Sequence, residues 1–383
     1  MDLPSRSPHG ISDRRRARRA TVFLALALLA LTSPPTVTLA VEAQEDSGYV
    51  RHFDWIAYPY LFTSPETGLA FGGGGIAYFP LSQDSTVKMS TVTPSFYYST
   101  TNQYDVTIIP ELYFGHWLYL YSYFSFGDYI DKFYGYGPDS PEIENAEYRH
   151  QSRIILLNVQ PAISKRLRMG LYMRWLRRVI TDERSNPYLL NDAVTGAAGG
   201  NSFGVGFAMS RDTRNHRFDP YDGLLAELRG VYYPKALGSD FDYNKYEADL
   251  RWYSSLGGGE NHILGVQFLG IMTFGDPPFY DGALLGGKQI MRGYYLGRYR
   301  DNKLLAVQAE YRTQLFWRIA GVAFLGMGNV AERIPDFRVR TMLYSGGLGL
   351  RYKFDLMEKI YLRLDVGWGK STSGVYFDVL QAF

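Results

Sequence analysis

Apolar and polar positions alternate with a period of two over most of the chain, the pattern of strands that have one apolar and one polar face. It is clearest near the C-terminal end. There Ile360, Leu362, Leu364, Val366 and Trp368 share one face, and Tyr361, Arg363, Asp365, Gly367 and Gly369 share the other. Met342, Tyr344, Leu348, Leu350, Tyr352 and Phe354 likewise oppose Ser345, Gly347, Gly349, Arg351 and Lys353. Tyr246, Ala248, Leu250 and Trp252 oppose Glu247, Asp249 and Arg251, and Leu167, Met169, Leu171, Met173 and Trp175 oppose Arg168, Tyr172 and Arg174. The pattern predicts strands over 53–63, 68–79, 88–100, 103–114, 117–127, 147–162, 166–181, 200–212, 222–235, 243–256, 261–274, 302–315, 317–327, 341–354, 358–369 and 373–383. Strands of a soluble sandwich alternate in the same way, so the pattern alone leaves both settings open. The number and length of the segments, with no helical stretch to cover them, favour a membrane, where only a closed barrel satisfies every backbone donor. The expected fold is all-β, a transmembrane antiparallel β-barrel of about 16 strands.

The connections give an independent check. Barrels of this kind keep periplasmic turns short and external loops long. Counted from a periplasmic N-terminus, the four longest connections, near 128–146, 182–199, 275–301 and 328–340, are all odd-numbered and therefore external. Both termini are then expected in the periplasm.

The segment before the first strand reads as an export signal. Arg14, Arg15, Arg16, Arg18 and Arg19 form a basic region, and Ala20 to Leu31 form an apolar run too short to span a bilayer, which Pro34 and Pro35 end. The expected division is a signal peptide over 1–43, cleaved after Ala40 or Ala43, and a barrel over 44–383. Composition agrees: aromatics are 16% of the chain, with 32 Tyr, and Tyr and Trp favour the membrane–water interface. Cys is absent, which excludes disulfides and thiolate metal sites. A net charge of +2, with no basic stretch beyond the signal, gives no reason to expect nucleic acid.

The stretch Gly286-Gly287-Lys288-Gln289-Ile290-Met291-Arg292-Gly293-Tyr294, followed by a strand holding Glu310-Tyr311-Arg312, resembles the Omp85 (surface antigen D15) superfamily. Asp212-Thr213-Arg214-Asn215 with Pro220 and Gly223 resembles that family's turn between the eighth and ninth strands. Ser345-Gly346-Gly347-Leu348-Gly349-Leu350-Arg351 and the closing strand ending on Phe383 resemble its final strands. The resemblance covers roughly 200 to 383. It implies a long sixth external loop directed into the lumen, with Arg292, Gly293, Tyr294 and Glu310 as the loop lock and Phe383 as an assembly signal. An arginine in a narrow pore needs a carboxylate, Gly lets the backbone turn against the wall, and the aromatic wedges the tip. Where the family carries aromatic-x-Asp-x-Gly on the thirteenth strand, this chain has Phe324-Leu325-Gly326-Met327-Gly328, which leaves Glu310 as the expected partner of Arg292. Only about ten residues separate the signal from the first strand, so periplasmic POTRA domains are not expected.

For Arg292 and Glu310 two readings stand side by side, a structural ion pair that props a plug and a functional lid. Arg168, Arg174, Glu227, Arg229, Glu247, Asp249, Arg251, Arg312, Arg351, Arg363 and Asp365 are expected to line the lumen as a mixed-sign network. Pro59 marks either a weak seam against the last strand or a first strand begun too early, the second being favoured. His52, His116, His150, His216 and His262 lack metal-ligand spacing, and neither H-E-x-x-H nor G-x-S-x-G occurs, so no enzyme, metal or cofactor is expected. The function implied is protein or lipid translocation or insertion at the bacterial outer membrane. Expected partners are outer-membrane lipid, the outer-membrane assembly machinery and a periplasmic partner replacing the POTRA domains. The alternatives are a passive solute channel and, behind it, a barrel enzyme.

Overall fold

Each of the sixteen alternating segments is a strand in the structure, a computed structural model that describes residues 52–64, 68–84, 86–190, 194–355 and 359–383. The expected signal segment and its cleavage sites lie outside the described residues. The strands are β1 (Asp54–Ser64), β2 (Gly68–Phe79), β3 (Ser90–Ser99), β4 (Tyr104–Phe114), β5 (Leu118–Lys132), β6 (Glu147–Ser164), β7 (Leu167–Asp182), β8 (Gly199–Asp212) and β9 (Gly223–Tyr233). They continue with β10 (Tyr243–Ser255), β11 (His262–Gly275), the short β12 (Ala283–Leu285) and β13 (Tyr299–Asp301), β14 (Lys303–Phe316), β15 (Ile319–Ala331), β16 (Leu343–Asp355), β17 (Ile360–Gly369) and β18 (Thr372–Val379). Sixteen of them form one antiparallel sheet in chain order, and β12 with β13 makes a separate ribbon inside the longest connection.

The two faces are inverted relative to a soluble protein. Buried positions include Ser122, Asn158, Gln160, Asp249, Gln267, Gln308, Arg351 and Arg363, whereas Leu171, Phe207, Leu250, Phe268, Leu325, Leu348 and Val375 are exposed. Apolar side chains outward and hydrogen-bonding ones inward suit a sheet closed on itself in lipid. Exposed Trp55, Trp117 and Trp317 ring the mouth with short turns, and Tyr98, Tyr104, Tyr232, Tyr246, Tyr344 and Trp368 ring the other. The connections 133–146, 183–198, 276–302 and 332–342 are the long ones, and all lie at that second mouth.

Three details differ from the sequence reading. Strands β5 and β15 run on to Lys132 and Ala331, because ladder pairing such as Lys132↔Glu147 and Ala331↔Lys303 extends them past residues that read locally as loop. The last strand stops at Val379, where Leu380 takes a left-handed φ of 72° and residues 381–383 leave the ladder. Pro59 lies within β1, opposite Gly73, so the first strand was not begun too early. Proline is tolerated in β1, whose only ladder among the described residues is to β2. At the seam between β1 and β18, Ile56 of β1 and Val379 and Leu380 pack on one shared apolar cluster.

Candidate functional site

The connection 276–302 is long, and glycines let its tip turn and lie flat on the wall. Gly293 has φ 111°, and a Cβ there would sit 2.5 Å from the Trp368 carbonyl carbon, so only glycine allows this approach to β17. The contact delivers Arg292 into the lumen, where it is wholly buried. One terminal nitrogen donates to Glu310 Oε2 at 2.6 Å and the other to Asp365 Oδ2 at 2.5 Å. The guanidinium carbon lies 3.6 Å from the centre of the Phe324 ring, a cation–π contact.

Glu310 pairs with Arg292, and Asp365 supplies a second carboxylate where the sequence reading had none. The carboxylate comes from β17 and not β15. At the β15 position a glycine, Gly326, leaves room for Met291, whose sulfur would lie 3.1 Å from an added Cβ. The signal available was the place of Asp365 on the polar face beside Arg363; nothing local paired it with the loop.

The two carboxylates serve four arginines. Glu310 also accepts from Arg312 at 2.8 Å and lies 3.8 Å from Arg351, while Asp365 accepts from Arg351 at 2.5 Å and lies 3.8 Å from Arg363. Arg363 reaches Asp378 on β18 at 3.0 Å, and Lys288 of the loop reaches the same carboxylate at 2.9 Å. The tip is also tied through backbone groups: the Tyr294 hydroxyl donates to the Tyr344 carbonyl at 2.9 Å and accepts from the Lys370 N–H at 2.8 Å. The Gly293 N–H donates to the Tyr376 hydroxyl at 2.9 Å. The loop therefore grips β14 and β16 to β18, the strands that run up to the seam.

Further along, the loop crosses to the opposite wall, which sequence reasoning missed. Tyr295 donates to Asp131 of β5 at 2.8 Å, and Arg300 donates to the Lys132 carbonyl at 2.7 Å. Asp281 accepts from Arg174 at 2.6 Å, from the Tyr243 hydroxyl at 2.6 Å and from Lys245 at 3.0 Å. Burial pushes the Asp281 carboxyl up, but Arg174 and Lys245 outweigh it and hold the group well below the usual carboxylate range. A depressed acid contributes stability above its unfolded value and loses it as pH falls through the folded one. The attachment should thus persist through mild acid. Asp281→Asn leaves the partly buried Arg174 and Lys245 without their carboxylate and should cost about 1.5 to 3 kcal/mol, read as faster hydrogen exchange over 276–285; unchanged exchange would remove Asp281 from the loop's anchorage.

At the other mouth the turn 213–222 folds inward as a strap. Arg214 closes on Asp212 at 3.0 Å, and Asn215 Oδ1 accepts the Tyr221 and Asp222 N–H groups at 3.2 Å. Arg217 reaches the Met89 carbonyl at 2.7 Å, Thr91 at 3.0 Å and Glu111. Phe218 is buried with Ile76, Tyr78, Met89 and Ile360, the cluster at the seam, and Asp219 accepts from Tyr361 at 3.0 Å and from Gln381 at 3.1 Å. Phe383 lies apart from the lock tip, packed on Tyr253, with its carbonyl accepting from Arg312 at 2.8 Å. Of the other expected lumen residues, Arg229 pairs with Glu247, Arg251 with Asp249 at 2.6 Å, and Arg168 lies over the Tyr113 ring. Among the described residues no group of three His, Cys, Asp or Glu could hold a metal.

Solved structures share this architecture. BamA from Haemophilus ducreyi lacking POTRA domains 1–3 superposes with a TM-score of 0.56 at 14% identity, over 94% of this chain and 77% of that one. CdiB from Acinetobacter baumannii gives 0.53 at 14% identity, over 86% of this chain and 59% of that one. CdiB from Escherichia coli gives 0.53 at 12% identity, over 91% and 67%. No curated protein sequence matches the chain. The Omp85 superfamily domain matches residues 70–378, a span that holds the buried arginine, both of its carboxylates and the inward strap, and the chain belongs to that superfamily.

Proposed function

We propose that this outer-membrane barrel translocates or inserts protein, or lipid, through a path that the lumen loop and the seam open together. The observation that carries the reading is the placement of Arg292: its two carboxylates sit on β14 and β17, and the rest of the tip holds β16 and β18, beside β1, whose only ladder among the described residues is to β2. Moving the loop then frees the strands that must part. A passive solute channel would have no use for ties between a plug and the seam. The mouth with short turns faces the periplasm in this reading, and a separate periplasmic partner supplies substrate capture. The test is a photo-crosslinking residue at Tyr58 on β1 or Tyr376 on β18, in outer membranes. Polypeptide adducts at these sites and none at lipid-facing Leu250 are expected; equal yields at all three would sink the reading.

Phe383 is proposed as the aromatic that the assembly machinery reads before the barrel closes. Phe383→Ala should then lower the amount of heat-modifiable barrel several-fold, while Tyr253→Ala, which removes the ring packed against it, should lower it less. Equal losses would make Phe383 a packing residue only.

A further inference from the structure

The outward faces of β6 and β7 carry an apolar stripe, Leu157, Ile155, Met169, Leu171, Met173 and Trp175 among its members, rising from the mouth with short turns. Its extent matches an apolar band of about 25 Å crossed by tilted strands. Arg153 and Arg177 come directly above it. They are partners in the β6–β7 ladder, both exposed on the outward face. Side chains directly opposite in an antiparallel pair have Cβ atoms about 5 Å apart, and like charges so placed repel.

Neither guanidinium enters an ion pair or a side-chain hydrogen bond among the described residues, although Arg149, higher on β6, is neutralised by Asp128 at 2.6 Å. The neighbour on β8, Asn201, is already engaged: it accepts from the Trp175 indole at 2.5 Å and donates to the Gly238 carbonyl at 2.5 Å. Asp240, which lines a groove with Arg177, accepts the Asn201 N–H at 2.7 Å and forms no ion pair with either arginine among the described residues. On the other flank Arg153 faces Phe126 of β5. A repelling pair at the level of lipid headgroups, with apolar and aromatic surface beneath it, lacks an anion.

We propose that Arg153 and Arg177 bind a phosphomonoester on an acylated glycolipid of the leaflet at the mouth with long loops, its acyl chains lying on Ile155, Trp175 and Phe203, the ladder partner of Trp175 on β8. A phosphomonoester carries about −1.5 to −2 charge at neutral pH and three acceptor oxygens, enough for two guanidinium forks. The phosphodiester of an ordinary phospholipid carries a single charge and satisfies one. The proposal rests on the orientation given above.

Native mass spectrometry of the purified full chain tests it, with a bis-phosphorylated acylated glucosamine disaccharide, its dephosphorylated form and phosphatidylglycerol as probes. The wild type should retain the phosphorylated probe at least tenfold better than either of the others, and the double variant R153Q/R177Q should lose that preference. In lipid-free detergent the double variant should melt no lower than the wild type, because removing a like-charge pair relieves repulsion. Equal retention of the phosphorylated probe by both proteins, equal retention of phosphatidylglycerol, or a lower melting temperature in lipid-free detergent would each overturn the assignment. Labelling of Asp139→Cys in intact cells by an impermeant thiol reagent reports orientation separately: with labelling absent, the orientation fails whatever the binding result.

Discussion

Arg292→Ala is expected to release the tip of the lumen loop, and Glu310→Ala or Asp365→Ala to damage the barrel more. Truncating one member of a buried ion pair leaves the other uncompensated, at about 3 to 5 kcal/mol in a dry site. The network is unbalanced, however: Arg292, Arg312, Arg351 and Arg363 converge on two carboxylates. Loss of Arg292 removes a cation from an excess of cations, and both carboxylates keep other partners. Loss of either carboxylate strands buried guanidiniums. Arg292→Ala should therefore raise bilayer conductance and hydrogen exchange over 286–294 while the barrel stays heat-modifiable. The carboxylate variants should also lower the yield of folded barrel. Effects of Arg292→Ala and Asp365→Ala should be far from additive, because the two share one contact; strict additivity would mean that this contact does not hold the loop.

Phe218→Ala should loosen the seam from the opposite mouth. Truncating a buried phenylalanine costs about 3 to 5 kcal/mol, and here the loss falls on one cluster that holds β2, β17 and the ends of β1 and β18. The expected result is faster hydrogen exchange along 54–58 and 376–380, with exchange over 286–294 unchanged. Arg217→Ala should do the same more weakly, since Asp219 and Phe218 still anchor the strap. Exchange that rises only within 213–222 would mean that the strap is a passive turn. Combining Phe218→Ala with Arg292→Ala frees the seam at both ends, and conductance should then exceed the sum of the single effects.

The glycine and arginine of the loop tip were legible because a sequence motif carried them, and Glu310 because it follows on the lumen face of the next strand. Asp365 was legible only as a lumen residue. It meets Arg292 across 73 residues of chain, and their contact depends on how far the sheet curls before β17 passes under the loop. The strap shows the same limit. Asp212, Arg214 and Asn215 announce a turn through contacts within the turn, but the reach of Arg217 to Met89 spans 128 residues and has no local trace.

What the sequence determined by itself is the set of strands, the face each turns to lipid, the chain-order pairing and the mouth that bears the long connections. These follow from alternation between neighbours two apart and from connection lengths, both local quantities that tertiary context does not rearrange in a barrel. Only the tertiary structure decided which lumen charges meet, where residues 380–383 turn inward, and that two mouths are tied to one seam. Partners inside a barrel are set by curvature and stagger between strands far apart in sequence, and no periodicity along a single strand encodes those.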